Sequence, residues 1–554
     1  MIKPLAAFAL LLSSSAMADT LVTNVNGMQV AADGTIERFR ALVIGEDGRV
    51  RSVIQNPELV RLAGITRQVN GGGQTLLPGL IDAHGHVMAL GTGAIQLDLT
   101  GTASLAELKQ RLAAYAGANP KLPWIVGRGW NQELWPDKAF PTAADLDAVV
   151  PDRPVWLNRV DGHASVGNSA ALRAAGVTAA TRDPSGGRIA RDASGRPTGL
   201  LIDAATTLID RKVPGLSRTQ QDQALAKAQE LLLQVGVTAT ADMGTDASGW
   251  TAMRRSGDAH RLRVRIMSYA SGTETLAKVT GAKSWLYADR LHMGGVKIYA
   301  DGALGSRGAW LKRPYADEPH SVGLRFLSDA ELRKQLEVTA SRGFQPAVHA
   351  IGDAANAQVI TAYEGLSAKY GRDRRWRIEH AQVIDPADIP RLAPAGIVAS
   401  MQPTHQTSDR LMAEKRLDPP RLAGAYAWQT IRKTGVHLPF GSDYPVESPN
   451  PFPGLSAAIS RQDPQGEPPG GWRPEERITF AQALSGFTRE AAYAGFAEDR
   501  IGSLEPGKWA DFILIDRDPT AVNPRDLAGT RVLETWIAGE KVWEREPSPS
   551  GERG

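Results

Sequence analysis

Leu77-Pro78-Gly79-Leu80-Ile81-Asp82-Ala83-His84-Gly85-His86 carries an apolar run into two histidines. With Leu76 in front, the run from Leu76 to His84 reads as a buried strand. The histidines are two residues apart, so on an extended backbone their side chains leave the same face and can hold one ion. A lone His-x-His pair is weak evidence, because two histidines in a polar turn would be unremarkable. The setting strengthens it: a strand delivers the pair to its downstream end, and His349 and His380 stand at the ends of two later apolar runs.

Between those runs one unit recurs, an amphipathic helix, a stopping glycine and a short apolar strand. Ser217 with Gln220 is a capping-box pattern, followed at helical spacing by Leu225, Ala228, Leu231 and Leu232. Gly236 stops that helix, and Val237 to Asp242 reads as a strand. Ser328 with Glu331 opens another helix, Gly343 ends it, and Pro346 to His349 follows as a strand. Val264 to Ser268, Val296 to Ala300, Arg377 to His380, Ile397 to Met401 and Leu438 to Gly441 complete the set of buried strands. Helix-strand alternation implies a parallel sheet covered by helices. Eight strands point to an α/β fold of the (β/α)8 TIM-type barrel, whose active face is the downstream end of the strands. An open doubly wound sheet is the architectural alternative. The stretch from about 101 to 215, rich in Trp, Pro and Gly, is too long for one crossover and reads as an insertion after the first strand.

The chain ends have a different texture. From Leu21 to about Ile54, apolar residues alternate with the turn pairs Asn26-Gly27, Asp33-Gly34 and Asp47-Gly48, and the pattern returns after Leu504. The two ends are expected to form one small β-sandwich domain over 19–75 and 500–545, flanking a barrel at 76–499, with 546–554 a disordered tail. Lys3, the apolar run Leu5 to Leu12 and Ala16-Met17-Ala18 follow signal-peptide grammar. Residues 1–18 are therefore expected to be cleaved after Ala18 and the protein exported, periplasmic or secreted. Ser13-Ser14-Ser15 end the run well short of the roughly 20 residues a membrane span needs, so no stable membrane insertion is expected after cleavage.

The composition, 42% hydrophobic and 22% charged, is that of a soluble globular protein. Lys and Arg number 63 against 60 Asp and Glu, so the net charge of +3 is dispersed and nucleic acid is not an expected partner. A small-molecule substrate is, and a homodimer is left open. The chain has no cysteine, which removes disulfides and thiolate ligands alike. Any metal site must use histidine, carboxylate or something less usual.

Taken in order, five motifs resemble the signatures of the amidohydrolase superfamily. Pro78 to His86 resembles the first-strand signature, Val296-Lys297-Ile298-Tyr299-Ala300-Asp301-Gly302 the fourth-strand lysine motif, and His349-Ala350-Ile351-Gly352-Asp353 the fifth-strand histidine. Glu379-His380 resembles the sixth and Gly441-Ser442-Asp443-Tyr444-Pro445 the eighth-strand aspartate. Together with Asp161-Gly162-His163 and Asn168-Ser169, the pattern is most similar to the "amidohydrolase 3" branch, which includes N-substituted formamide deformylase and the YtcJ-like proteins. The resemblance covers nearly all of the chain after residue 18. It implies two divalent metal ions, of which Zn²⁺ is the expected kind, held by His84, His86, Lys297, His349, His380 and Asp443. It implies further that Lys297 reacts with CO₂ to form a carbamate, turning a cation that would repel the metals into a bridging anion. The bland alternative is a Lys297 that ion-pairs with Asp301. Asp443 is the implied catalytic proton shuttle, a helix N-cap or turn aspartate being the alternative.

Four residues are expected to contact substrate: Trp130 and His163 in the insertion, Arg307 after the lysine strand, and His405 after strand seven. Packing within the insertion is the alternative for the first two. The expected function is metal-dependent hydrolysis of a non-peptide carbon-nitrogen bond, an amide or formamide, by metal-activated hydroxide. No Gly-x-Ser-x-Gly elbow, His-Glu-x-x-His helix or phosphate-binding Gly-x-x-x-x-Gly-Lys loop competes with this reading. Lactone or phosphoester hydrolysis on the same site is the alternative chemistry, and a non-catalytic regulatory or binding protein the alternative class.

Overall fold

The computed structural model describes residues 19–56, 64–160, 162, 164–184, 187–279 and 284–546. The expected signal segment, Asp161 and His163, and the tail beyond Glu546 lie outside the described residues. The chain divides into two compact units, one of Met1–Gly85, Leu231–Ala247 and Leu262–Gly554, the other of His86–Glu230 and Ser248–Arg261.

In the first unit a seven-stranded sheet runs β1 (Leu80–Gly85), β2 (Val237–Thr245), β3 (Arg265–Ser271), β4 (Leu291–Tyr299), β5 (Gln345–Ala350), β6 (Trp376–His380) and β7 (Ile397–Ser400). Each strand pairs in parallel with the next in sequence. Every residue of β1, β6 and β7 is buried, as befits parallel strands covered on both faces. Both capping boxes form: Ser217 and Gln220 open the helix Arg218–Gln234, and Ser328 and Glu331 open Asp329–Ser341.

Two expected strands need correction. The run Leu76 to His84 is two strands, Thr75–Pro78 in another sheet and β1, with Gly79 between them. Gly79 donates its N–H to Asp511 O, and a Cβ there would lie 2.2 Å from Thr238 Oγ1, so the chain changes sheets where no side chain fits. Leu438 to Gly441 is not a regular strand. Pro439 has no N–H to give, and Phe440 donates its own to Gly486 O. The segment is nonetheless bonded on both flanks. Ala399 and Met401 of the β7 side donate to His437 O and Pro439 O, while Ala83 of β1 donates to Phe440 O. Asp443, just beyond, donates to His84 O at 2.7 Å.

Strands from the two chain ends interleave. One six-stranded sheet runs Glu540–Glu544, Val532–Ile537, Phe512–Ile515, Thr75–Pro78, Asn26–Val30, Ile36–Phe39; a four-stranded sheet runs Val50–Ile54, Ala41–Ile44, Asp19–Thr23, Ile65–Asn70. Val22, Leu42 and Ile44 of the second pack with Leu76, Phe512, Leu514 and Trp536 of the first in one apolar cluster. Arg265 on β3 is tied to the C-terminal segment by a bidentate pair with Asp511, Nε to Oδ2 at 2.6 Å and Nη2 to Oδ1 at 2.9 Å, both side chains buried. Removing one partner of such a pair strands the other charge. Asp511→Ala is therefore expected to cost about 3–5 kcal/mol of folding stability, read as a lowered denaturant midpoint; a cost below about 1 kcal/mol, the worth of an exposed pair, would show that the pair is not stabilising.

The second unit has its own six-stranded mixed sheet, ordered Gly187–Arg191, Pro197–Asp203, Ala164–Gly167, Val155–Arg159, Ile125–Trp130, Leu97–Asp98. Its core holds Leu108, Leu112, Ile125, Trp130, Trp135 and Leu157. Among the described residues no helix is long and apolar enough to cross a membrane.

Candidate metal centre

His84 lies at the end of β1, fully buried. Its Nδ1 is 2.6 Å from Glu379 Oε2, and its Nε2 is 3.2 Å from Lys297 Nζ and 3.5 Å from Asp443 Oδ1. Its backbone is fixed by Asp82, which accepts the His84 N–H at 2.9 Å and the Ser442 hydroxyl at 2.6 Å. Burial pushes the Asp82 carboxyl up to about 7, against the pull of these hydrogen bonds. Gly441 leaves room for this contact, since a Cβ there would sit 2.5 Å from His84 N and 2.6 Å from Asp82 Oδ1. His86 follows the strand as the N-cap residue of helix Val87–Ile95, its side chain making no cap hydrogen bond.

Lys297 stands on β4 and is 1% exposed. Burial lowers its pKa to about 8, so the amine gives up its proton far more readily than an exposed lysine does. The Lys297–Asp301 ion pair weighed from the sequence does not form. Asp301 instead accepts the backbone N–H groups of Ile351, Gly352 and Trp310 at 2.8 to 3.0 Å, and burial pushes it up to about 7.

His349 on β5 and His380 at the end of β6 bring their rings within 4.6 Å, and His380 lies 4.7 Å from the His84 ring. His380 has φ +74°, which turns it out of the strand's alternation, and its Nδ1 is 2.9 Å from Gln402 Oε1. Burial is the main reason that all three imidazoles titrate low, His84 at about 4, His349 at about 3 and His380 well below its usual value. They are neutral at pH 7, as ligands must be. His349 Nε2 is buried without a hydrogen-bond partner.

Asp443 completes the cluster from the segment after Gly441. Its φ of +60° is a left-handed conformation that Asp and Asn tolerate better than other side chains. His405, in the first turn of helix Pro403–Arg416, places Nε2 3.8 Å from Asp443 Oδ2, also without a hydrogen-bond partner, and its ring lies nearly parallel to that of His380. His380, His405 and Asp443 form a second group with ligand atoms within 4.8 Å.

The donor set fits divalent cations. It is all nitrogen and oxygen, it is neutral or anionic apart from Lys297, and the imidazole Nδ1 atoms of His84 and His380 are held by acceptors, which leaves Nε2 to bind. Atoms sharing one ion at about 2.0–2.2 Å lie roughly 3–4 Å apart, the spacing found between His84 Nε2 and Asp443 Oδ1.

Two further residues expected to contact substrate, Arg307 and Trp130, have these surroundings. Arg307 pairs with Asp317 at 2.9 Å and Glu318 at 3.3 Å. Trp130 is fully buried in the second unit, its indole N–H donating to Leu157 O at 2.8 Å, with Trp135 and Phe140 against its ring. No motif in the sequence gives Arg377, Glu379, Gln402, Asp82 or Ser442 a role of its own. The available signal was Arg377-x-Glu379, two charges on one face of an otherwise apolar strand.

The Amidohydrolase family pattern matches residues 67–543. The chain is 34% identical over 542 residues to "Protein LONG AFTER FAR-RED 3" of Arabidopsis thaliana, covering 95% of this chain and 92% of that one. It is 28% identical over 563 residues to the N-substituted formamide deformylase of Arthrobacter pascens, covering 96% and 99%. Among solved structures it resembles an uncharacterized metal-dependent hydrolase from Pyrococcus horikoshii, with a TM-score of 0.76 and 27% identity over 92% of this chain and 99% of that one. The motif order, the clustered ligands and these likenesses agree: the chain belongs to the amidohydrolase family.

Proposed function

We propose that the protein is a binuclear metal-dependent hydrolase that cleaves a non-peptide carbon-nitrogen bond of the N-formyl or N-acyl amide kind. The observation that carries this reading is the convergence of His84, Lys297, His349, His380 and Asp443 from five separate segments onto one buried cluster. The N-substituted formamide deformylase, similar along almost its whole length, supports the choice of bond. His84, His86, Lys297, His349, His380 and Asp443 would hold two ions, and the nitrogen-oxygen donor set suits Zn²⁺. When bound, such ions acidify water and polarise a carbonyl.

The chain's own groups supply the rest. Lys297 is suited to react with CO₂ after its ammonium gives one proton to solvent: the neutral nitrogen forms the new N–C bond as one C=O π bond opens onto oxygen, a second proton leaves to solvent, and the product is an anion where a cation stood. Asp443 takes a proton from the attacking water and passes it to the leaving nitrogen, which could not otherwise depart. His405, 3.8 Å from Asp443, is placed to hold the substrate carbonyl. The same reading takes β1 to β7 with residues 437–441 as a closed (β/α)8 barrel, supported by the hydrogen bonds on both flanks of that segment, and the sheets of the two chain ends as a small β-sandwich domain.

Elemental analysis of protein purified without chelators is expected to find two divalent ions per chain; one or none would count against the binuclear site. The metal-replete protein is expected to turn over members of a panel of N-formyl and N-acyl amines. Turnover confined to lactones or phosphotriesters would transfer the reading to that chemistry, and binding without turnover would favour a non-catalytic protein.

A further inference from the structure

We infer that Glu379 and Arg377 are positioning residues that fix the tautomer of His84 and so set the affinity for one of the two ions; the affinity part rests on the metal-binding reading above. The two residues are i and i+2 on β6, so their side chains leave the same face, and both are fully buried. Glu379 Oε2 is 2.6 Å from His84 Nδ1, while Arg377 grips the carboxylate in a fork, Nε to Oε1 at 2.6 Å and Nη2 to Oε2 at 3.0 Å. Arg377 is itself held from three directions. Nη2 donates to Ala83 O at 2.8 Å and to Ser400 Oγ at 3.1 Å, and Nη1 donates to Tyr269 Oη at 3.3 Å.

A carboxylate paired to a guanidinium offers only acceptors, so the proton of the 2.6 Å contact lies on His84 Nδ1. Nε2 is then obliged to carry the lone pair, and it faces Lys297 and Asp443. Gln402 does the same for His380 with a neutral amide. The charged version at His84 is not accounted for by stability, because well-packed apolar residues commonly replace a buried ion pair at no cost. It is accounted for if the negative charge behind the ring raises the basicity of Nε2. The Arg377 link to Ala83 O reaches the residue before His84, so one side chain holds both the backbone leading to the ligand and the carboxylate behind it.

The test compares the whole metal-replete protein with Glu379→Gln, which keeps an acceptor and loses the charge, and with the double variant Arg377→Met/Glu379→Leu, which removes the pair without stranding either charge. Zinc affinity is measured by competition with a chelator, alongside melting temperature, and the tautomer of His84 is read by nitrogen-15 NMR of histidine-labelled, metal-free wild type. Glu379→Gln is expected to bind one ion as wild type does and the other about 10–100-fold more weakly, with the double variant at least as weak. Wild-type affinity for both ions in the folded variants, whatever their melting temperatures, would overturn the inference, as would a His84 protonated on Nε2. If the variants fail to fold, the wild-type tautomer decides alone. A wild type that binds no zinc yet carries His84 as the Nδ1–H tautomer would sink the metal reading and leave the tautomer control standing.

Discussion

Asp443→Asn is expected to lower kcat by about 10²–10⁴-fold, the range that general acid-base groups contribute, while the protein folds and melts close to wild type. The substitution suits the question because of where Asp443 sits. Its φ is +60° and its N–H donates to His84 O, so the segment depends on a residue that tolerates the left-handed region. Asn does so as readily as Asp, whereas Ala would add backbone strain of about 1–2 kcal/mol. Asn also keeps an oxygen for the contact with His84 Nε2 at 3.5 Å. What it cannot do is take up a proton and release it. Measured as kcat on the amide that the substrate panel identifies, with ion content determined on the same sample, a loss below 10-fold at full occupancy would move the proton shuttle elsewhere. His405, 3.8 Å away, would be the next group to examine.

The residues of the candidate metal centre were legible in the sequence for a physical reason. A parallel sheet covered on both faces writes its strands as short apolar runs, so a histidine, lysine or aspartate closing such a run stands out, and His84, Lys297, His349 and His380 all lie on or at the ends of their strands. The run rule also explains the errors. Leu76 to His84 looks like one strand because nothing in an apolar run announces a change of sheet; the clash that Gly79 avoids, with Thr238, is a tertiary fact. Leu438 to Gly441 looks like a strand despite Pro439, yet its backbone bonds to β7 and β1 without the regular pairing that defines one.

The groups behind the ligands were harder to read. Arg377 and Glu379 are charged residues on a strand whose every position is buried, and a pattern of apolar periodicity has no place for them. The other partners of Arg377, namely Ala83, Ser400 and Tyr269, come from three other strands. Loop residues were harder still. Nothing in the sequence around Arg307 announces its ion pairs with Asp317 and Glu318, ten and eleven residues further along the chain. Trp130 was weighed between pocket and packing, and its indole N–H is taken up by Leu157 O inside a core.

Lys297→Ala is expected to have the larger consequence, loss of most bound metal together with activity. The wild-type amine is 1% exposed, lies 3.2 Å from His84 Nε2 and has its pKa lowered to about 8 by burial. As an ammonium it would oppose any cation at that nitrogen. As a carbamate it would supply the negative charge that lets two cations stand a few ångströms apart, much as bound ions elsewhere dominate the local electrostatics. Removing the side chain takes away that bridge, while Val296 and Ile298 on the same strand remain buried and packed, so β4 and the fold should persist. Truncating a long buried chain still leaves a cavity, and a stability cost of about 2–5 kcal/mol is expected from that alone. Metal content and melting temperature must therefore be measured on the same variant. A small carboxylate such as formate or acetate, added at high concentration, is expected to enter the vacated space and restore part of the metal content and activity, since it offers two oxygens where the proposed carbamate would. A purely structural lysine predicts the opposite pattern: full metal occupancy, a lowered melting temperature and no response to carboxylate. Full metal retention in Lys297→Ala would end the carbamate assignment, and with it the account of how this cluster of neutral imidazoles would hold a second cation.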